Sequence, residues 1–186
     1  YKIVTGPTVE PISITEAKVF LGVDATDEDA LITSLIKAAR WSTEQYLNKK
    51  LITTSMELYL DTLPKYIELA YGPVQSITSV KYYDSDNALQ TLASTNYDTD
   101  LISEPARITI SDEGDYPDVY SRTNAVIIAY VSGYASGDVP DDIISAIYLL
   151  IKHLYDNRDI VVIGSQVNEL PMGSKYLLDQ HRVFKF

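Results

Sequence analysis

The stretch Val139–Asp159 limits the possible folds more than any other part of the chain. Pro140 suits a first helical position, where a missing N–H costs nothing, and Asp141 and Asp142 follow in the first turn, facing the positive end of the helix dipole. Ile143, Ile144, Ile147, Leu150, Ile151 and Leu154 then recur at helical spacing, widened by Ala146 and Tyr148. A stripe that broad must be covered on most sides. The sequence is therefore read as a helical core centred on this helix, and the question is what covers it.

Two earlier stretches have the same period. Ser13-Ile14-Thr15-Glu16 matches a capping box, opening a short helix that Gly22 stops. A longer helix is expected from Glu28 to Leu47, capped by Thr26 or Asp27, with Leu31, Ile32, Leu35, Ile36, Ala38, Ala39, Thr43 and Leu47 on its apolar side. Lys37, Arg40, Glu44, Lys49 and Lys50 are expected on its wet side and at its end. Tyr1–Pro11 reads as an extended lead-in.

At Leu51 the period changes from helical to alternating. Met56, Leu58 and Leu60 face one way; further strands are expected at Tyr66–Tyr71, Ile77–Tyr82, Leu89–Leu92, Tyr97–Leu101 and Ala106–Ile110. Asp84-Ser85-Asp86-Asn87 reads as a hairpin turn, and Ser111–Thr123 as a polar loop. Asn124–Val131 is apolar on both faces, which predicts a central strand. After the Pro140 helix come a short apolar stretch, Ile160–Gly164, and a last helix over Ser174–His181. The tail carries apolar residues with too little sequence around them for local burial. The predicted class is α+β: a small helical bundle formed by residues 1–50 and 132–186, with an antiparallel sheet or sandwich inserted at 51–131.

Composition narrows the chemistry. There is no cysteine, so neither a disulfide framework nor a thiolate metal site is available. The longest apolar run, Ile143–Ile151, is too short to span a bilayer, and no signal peptide is read. The net charge of −11 disfavours ordinary DNA or RNA binding. His153 and His181 have no partners at metal-ligand spacing, no G-x-S-x-G elbow supports a hydrolase, and no glycine-rich phosphate loop is present. Asp84–Asn87 and Asp112–Asp115 lack the offsets of a calcium loop. No cofactor, metal or catalytic site is expected.

Several stretches, in order, resemble the head–tail connector (adaptor) proteins of tailed bacteriophages. Ile12–Asp24 followed by Asp27–Ile32 resembles their start, and Gln75–Asp84 the first β segment of the longer members. Tyr130-Val131-Ser132-Gly133-Tyr134, with Val139-Pro140, Ile143 and Ala146, resembles their return to the helical core; Tyr155–Arg158 and Glu169–Gly173 resemble their C-terminal part. The resemblance implies a non-enzymatic virion protein at the head–tail interface, assembled in the host cytoplasm. It would form a homo-oligomeric ring, commonly of twelve subunits, under the portal protein, extend the DNA channel without binding DNA specifically, and dock the next neck or tail protein.

The same resemblance maps the portal contact onto Leu170–Phe186, with Leu170, Pro171, Met172, Tyr176, Leu177, Leu178, Arg182, Val183, Phe184 and Phe186 as candidates. Arg40, Glu44 and Arg158 are candidate contacts between subunits. Two other readings compete. The β region could be a binding module for a carbohydrate or host surface, using exposed Tyr59, Tyr82, Tyr83 and Tyr97. A hydrolase would need His153 or His181 to meet a serine and a carboxylate in space.

Overall fold

The structure is a computed structural model, and it describes residues 1–111, 116–157 and 171–183. The chain divides into two compact units: residues 1–7 with 52–134, and residues 8–51 with 135–186. The class is α+β, as the change of period predicts.

In the helical unit, α1 (Ile14–Leu21) starts at the expected capping box. The Ser13 hydroxyl accepts from the Glu16 N–H at 3.2 Å, and the Glu16 carboxylate accepts from the Ser13 N–H at 2.8 Å. Ser13→Ala is expected to cost about 1 kcal/mol, read as faster amide exchange confined to α1. Gly22 ends the helix in the left-handed region. Helix α2 (Asp29–Leu47) begins one or two residues later than an Asp27 or Thr26 cap would place it. Glu28 is its N-cap and makes no side-chain cap bond, while Thr26 supplies only its carbonyl, to the Asp29 N–H.

Helix α3 (Asp141–Asp156) has Pro140 as its N-cap rather than its first residue, with extended backbone at ψ 139°. Its buried residues, Ile143, Ala146, Ile147, Leu150 and Ile151, form the expected stripe. Ile32, Ile36, Ala39 and Leu47 of α2 are buried in the same unit, and α2 packs on α3. Helix α4 (Met172–Asp179) packs on α3 as well, with Ser174 and Leu178 fully buried. The stripe is thus covered from both ends of the sequence. The expected apolar stretch Ile160–Gly164 lies outside the described residues.

The β unit contains two antiparallel sheets. One has the order β1 (Lys2–Thr5), β2 (Thr54–Leu60), β8 (Val126–Ser132), β4 (Val74–Tyr83), β5 (Leu89–Leu92); the other is β3 (Tyr66–Leu69), β7 (Ala106–Ile110), β6 (Tyr97–Asp100). Strand β8 is central, as its apolar character predicts. One core cluster joins Met56, Leu58, Val80, Ile128 and Tyr130 of the first sheet to Ile67, Leu69, Ile108 and Ile110 of the second, which makes the unit a sandwich. The 84–87 turn closes by the Asp84 N–H donating to the Ala88 carbonyl at 2.9 Å, with Asn87 at φ 59°.

Residues 1–7 are a correction. Expected as a lead-in to the helical core, they belong to the β unit, because β1 pairs with the edge of β2. All four side chains of β1 are exposed, so no burial pattern announces the strand; the β2 backbone selects it. The Tyr1 hydroxyl adds a tie, donating to the Glu68 carbonyl at 3.2 Å and accepting from the Ala70 N–H.

Candidate docking surface

The expected subunit contacts Arg40 and Glu44 do not stand on a wet helix face. The Glu44 side chain is 1% exposed. It accepts from the Lys50 ammonium at 2.9 Å and the Leu51 N–H at 3.2 Å, and lies 3.3 Å from the Arg40 guanidinium. Arg40 also donates to the Glu10 carboxylate at 2.7 Å. Burial works against the Arg40 charge, but the bond to Glu10 and the fields of Glu44 and Glu10 hold its pKa above the ordinary value. Lys49 and Lys50, expected in water, are buried as well. The cause is the backbone: Asn48 takes a left-handed conformation and turns the chain back across the end of α2, so Lys50 reaches Glu44 from the next segment. These charges make an intrachain network. Arg158 lies outside the described residues.

The candidate portal-docking residues separate into groups. Ser174 and Leu178 are core, so Leu178 is not available to a partner, and Pro171 and Leu177 are half-buried. Met172 (89% exposed) and Tyr176 (82% exposed) lie one turn apart on the opposite face of α4. Arg182 stacks over the Tyr46 ring at 4.8 Å, and Val183 is tied to the end of α2: its N–H donates to the Leu47 carbonyl at 3.0 Å, and its carbonyl accepts from the Asn48 amide at 2.9 Å. Leu170, Phe184 and Phe186 lie outside the described residues.

Two further contacts hold α4. The Tyr46 hydroxyl donates to the Asp179 carboxylate, and His181 Nε2 lies 2.6 Å from Asp142 Oδ2, which the Gln180 amide also reaches. Partial burial raises the Asp142 pKa, but the hydrogen bond and charge of His181 outweigh that and leave it lowered. A depressed carboxyl contributes stability above its unfolded value, near 4, and loses it as pH falls through the lower folded value. Asp142→Asn is expected to speed amide exchange in α4 at neutral pH and to flatten its acid dependence in this range.

A second apolar surface lies on the other flank of α3. Val19 is 79% exposed, and Phe20 packs on Tyr148 with ring centroids 4.9 Å apart. With Thr15 and Glu16 they line an open groove. Val19 and Phe20 lie on α1 as the helical spacing predicts, but only Ala17 of that helix is fully buried.

Among the described residues the competing sites do not come together. Tyr82 and Tyr97 pack against the β core, the Tyr59 hydroxyl is engaged by Glu57, and Tyr83 is covered by the Arg122 guanidinium at 4.0 Å. None of the four is the exposed ring that sugar stacking needs. His181 does meet a carboxylate, but Ser174, the serine of α4, is buried and donates to the Ala146 carbonyl at 3.2 Å. His153 is exposed beside Asn157.

The fold defines a class: an α+β chain with a four-helix unit and a two-sheet β unit, whose helical unit exposes apolar side chains at Val19, Phe20, Met172 and Tyr176. The family model of the head completion proteins matches residues 10–166, and the chain belongs to that family. The resemblance to head–tail connectors drawn from the sequence agrees with it. No curated protein sequence matches the chain. Among solved structures, it is similar to a chain in the virion of a native gene transfer agent particle (22% identity, TM-score 0.76, covering 100% of this chain and 96% of that one). Chains in two neck structures of that kind of particle are similar too. The native neck computed with C12 symmetry gives 19% identity and a TM-score of 0.74, covering 100% and 97%. The empty neck computed with C6 symmetry gives 19% and 0.72, covering 100% and 96%. At these identities the likeness establishes a shared fold.

Proposed function

We propose that this protein is a structural connector at the head–tail interface of a tailed-phage-like particle. It acts without catalysis, as a homo-oligomeric ring under the portal. The ring extends the DNA channel and presents a docking surface to the next neck or tail protein. The observation that carries the reading is the family match over residues 10–166, joined to full-length similarity to chains from rotationally symmetric particle necks. The net charge of −11 supports it, since an acidic channel wall repels phosphate and lets DNA slide.

The last residues of the C-terminal segment, 184–186, carry the portal contact, and the packing of α4 decides how that is tested. Removing everything from Leu170 would strip Ser174 and Leu178 out of the helical core. Removing only residues 184–186 leaves α4 and the Val183 ties in place. That shortened chain is expected to keep its thermal unfolding midpoint and to lose most of its affinity for purified portal rings in sedimentation. Undiminished binding would move the portal contact elsewhere. The ring itself is tested by native mass spectrometry with and without portal: a closed multiple of the subunit mass supports the reading, and a monomer in both conditions contradicts it.

A further inference from the structure

We infer that adjacent copies in the ring join head to tail, the Met172–Tyr176 face of α4 on one copy entering the Val19–Phe20–Tyr148 groove of the next. The inference rests on the ring reading above and assigns its subunit interface. Three observations carry it. The first is position. At about 100° per residue around α3, Tyr148 lies on one side of the buried stripe, while Asp142 and Leu149 lie on the other, next to Ala146 at that edge of the stripe. Phe20 meets α3 at Tyr148. On the far side, α4 meets it at Asp142 through His181, at Ala146 through Ser174, and beside Leu149 through Gly173. Groove and outward face are therefore on opposite flanks of one compact unit. A rotational ring needs that arrangement, because its interface is heterologous: each copy offers a knob on one side and a hole on the other.

The second observation is shape and polarity. Met172 and Tyr176, one turn apart, are among the most exposed apolar side chains of the chain, and the groove is an open apolar surface of the same unit. Each offers apolar area that the other would remove from water.

The third is charge. Glu16 lines the groove, and its hydrogen bonds to Ser13 lower its pKa, which favours the carboxylate. Lys175, exposed and beside Tyr176, makes no ion pair among the described residues. Seating Tyr176 in the groove brings Lys175 toward Glu16, and opposite charges at the rim fix register and orientation.

The chain has no cysteine, so cross-linking starts from a silent background. Val19→Cys and Tyr176→Cys change exposed positions and leave the core intact. With both on one chain, a short bismaleimide is expected to give a ladder of covalent oligomers under ring-forming conditions. A mixture of the two single variants should stop at dimers, and each single variant alone should stay monomeric. A ring seen by native mass spectrometry without a ladder from the double variant overturns this interface and leaves the ring reading standing. Dimers from Val19→Cys alone overturn it too, since they would mean a two-fold contact. If the unmodified chain forms no ring with portal present, both readings fall.

Discussion

Replacing Glu44 by alanine is expected to lower the stability of the protein by about 3–5 kcal/mol, the usual result of breaking a buried ion pair from one side. The carboxylate is the centre of its network. Without it the Lys50 ammonium loses a carboxylate at 2.9 Å, the Leu51 N–H loses its acceptor, and the Arg40 guanidinium loses a carboxylate 3.3 Å away while keeping its bond to Glu10. The cost comes mainly from the charge left behind rather than from the net worth of the pair. A second variant separates these. Glu44→Leu combined with Lys50→Met removes both charges at similar volume and is expected to recover more than half of the loss. For a chain of this size, 3 kcal/mol corresponds to a fall of roughly 10 °C in the unfolding midpoint. Calorimetry on the three proteins checks both statements. Equal destabilisation in the single and double variants would mean that Glu44 acts through packing alone.

Gly133→Ala is expected to be comparably damaging, for a backbone reason. Gly133 has φ +102°, and a Cβ there would stand 2.3 Å from the Ile52 carbonyl oxygen, 2.5 Å from its carbon and 3.0 Å from the Thr53 nitrogen. All three are backbone atoms, which have no rotamer with which to withdraw. Its neighbours are pinned too: the Gly133 N–H donates to the Pro73 carbonyl at 2.8 Å, and its carbonyl accepts from the Gln75 amide at 2.7 Å. The substitution combines a disfavoured φ with a steric overlap, and roughly 3 kcal/mol or more is expected. Gly137 is the control. Its φ is +88° but its Cβ would meet open space, so Gly137→Ala should cost only the conformational strain, about 1–2 kcal/mol. Denaturant titration of the two variants, followed through the tyrosine-rich β unit, should order them that way. The reverse order would refute the steric account.

Those two sites also show what could be read from the sequence. Local rules worked where the cause was local. The Ser13–Glu16 box, the Gly22 stop, the Asp84–Asn87 turn and the α3 stripe each depend on residues within one or two turns of each other. The central place of β8 followed from its apolar residues alone. Failures came where a distant segment decides. Arg40 and Glu44 look like a solvated i, i+4 pair until Asn48 returns Lys50 over them. The left-handed tendency of an asparagine at a helix end was the one available signal. Strand β1 has no inward-facing side chain to betray it. Tyr82 and Tyr97 read as recognition residues but pack against a core that two separate sheets create.

The exposed faces of α4 and α1 were half legible. The under-buried C-terminal segment pointed to a partner, and Met172 and Tyr176 do face outward. Leu178 faces inward because α4 needs one face for α3, a division that helical spacing alone could not orient. The groove by Val19 and Phe20 was missed, since apolar residues in a short helix look the same whether they meet the core or the outside.

Electron microscopy of the protein mixed with its portal is the sharpest test of whether this chain builds a ring there. The expected image is a closed ring of copies sharing the portal axis, with the end of each chain against the portal and a continuous channel through both. A bare portal with the protein left monomeric in solution would contradict it.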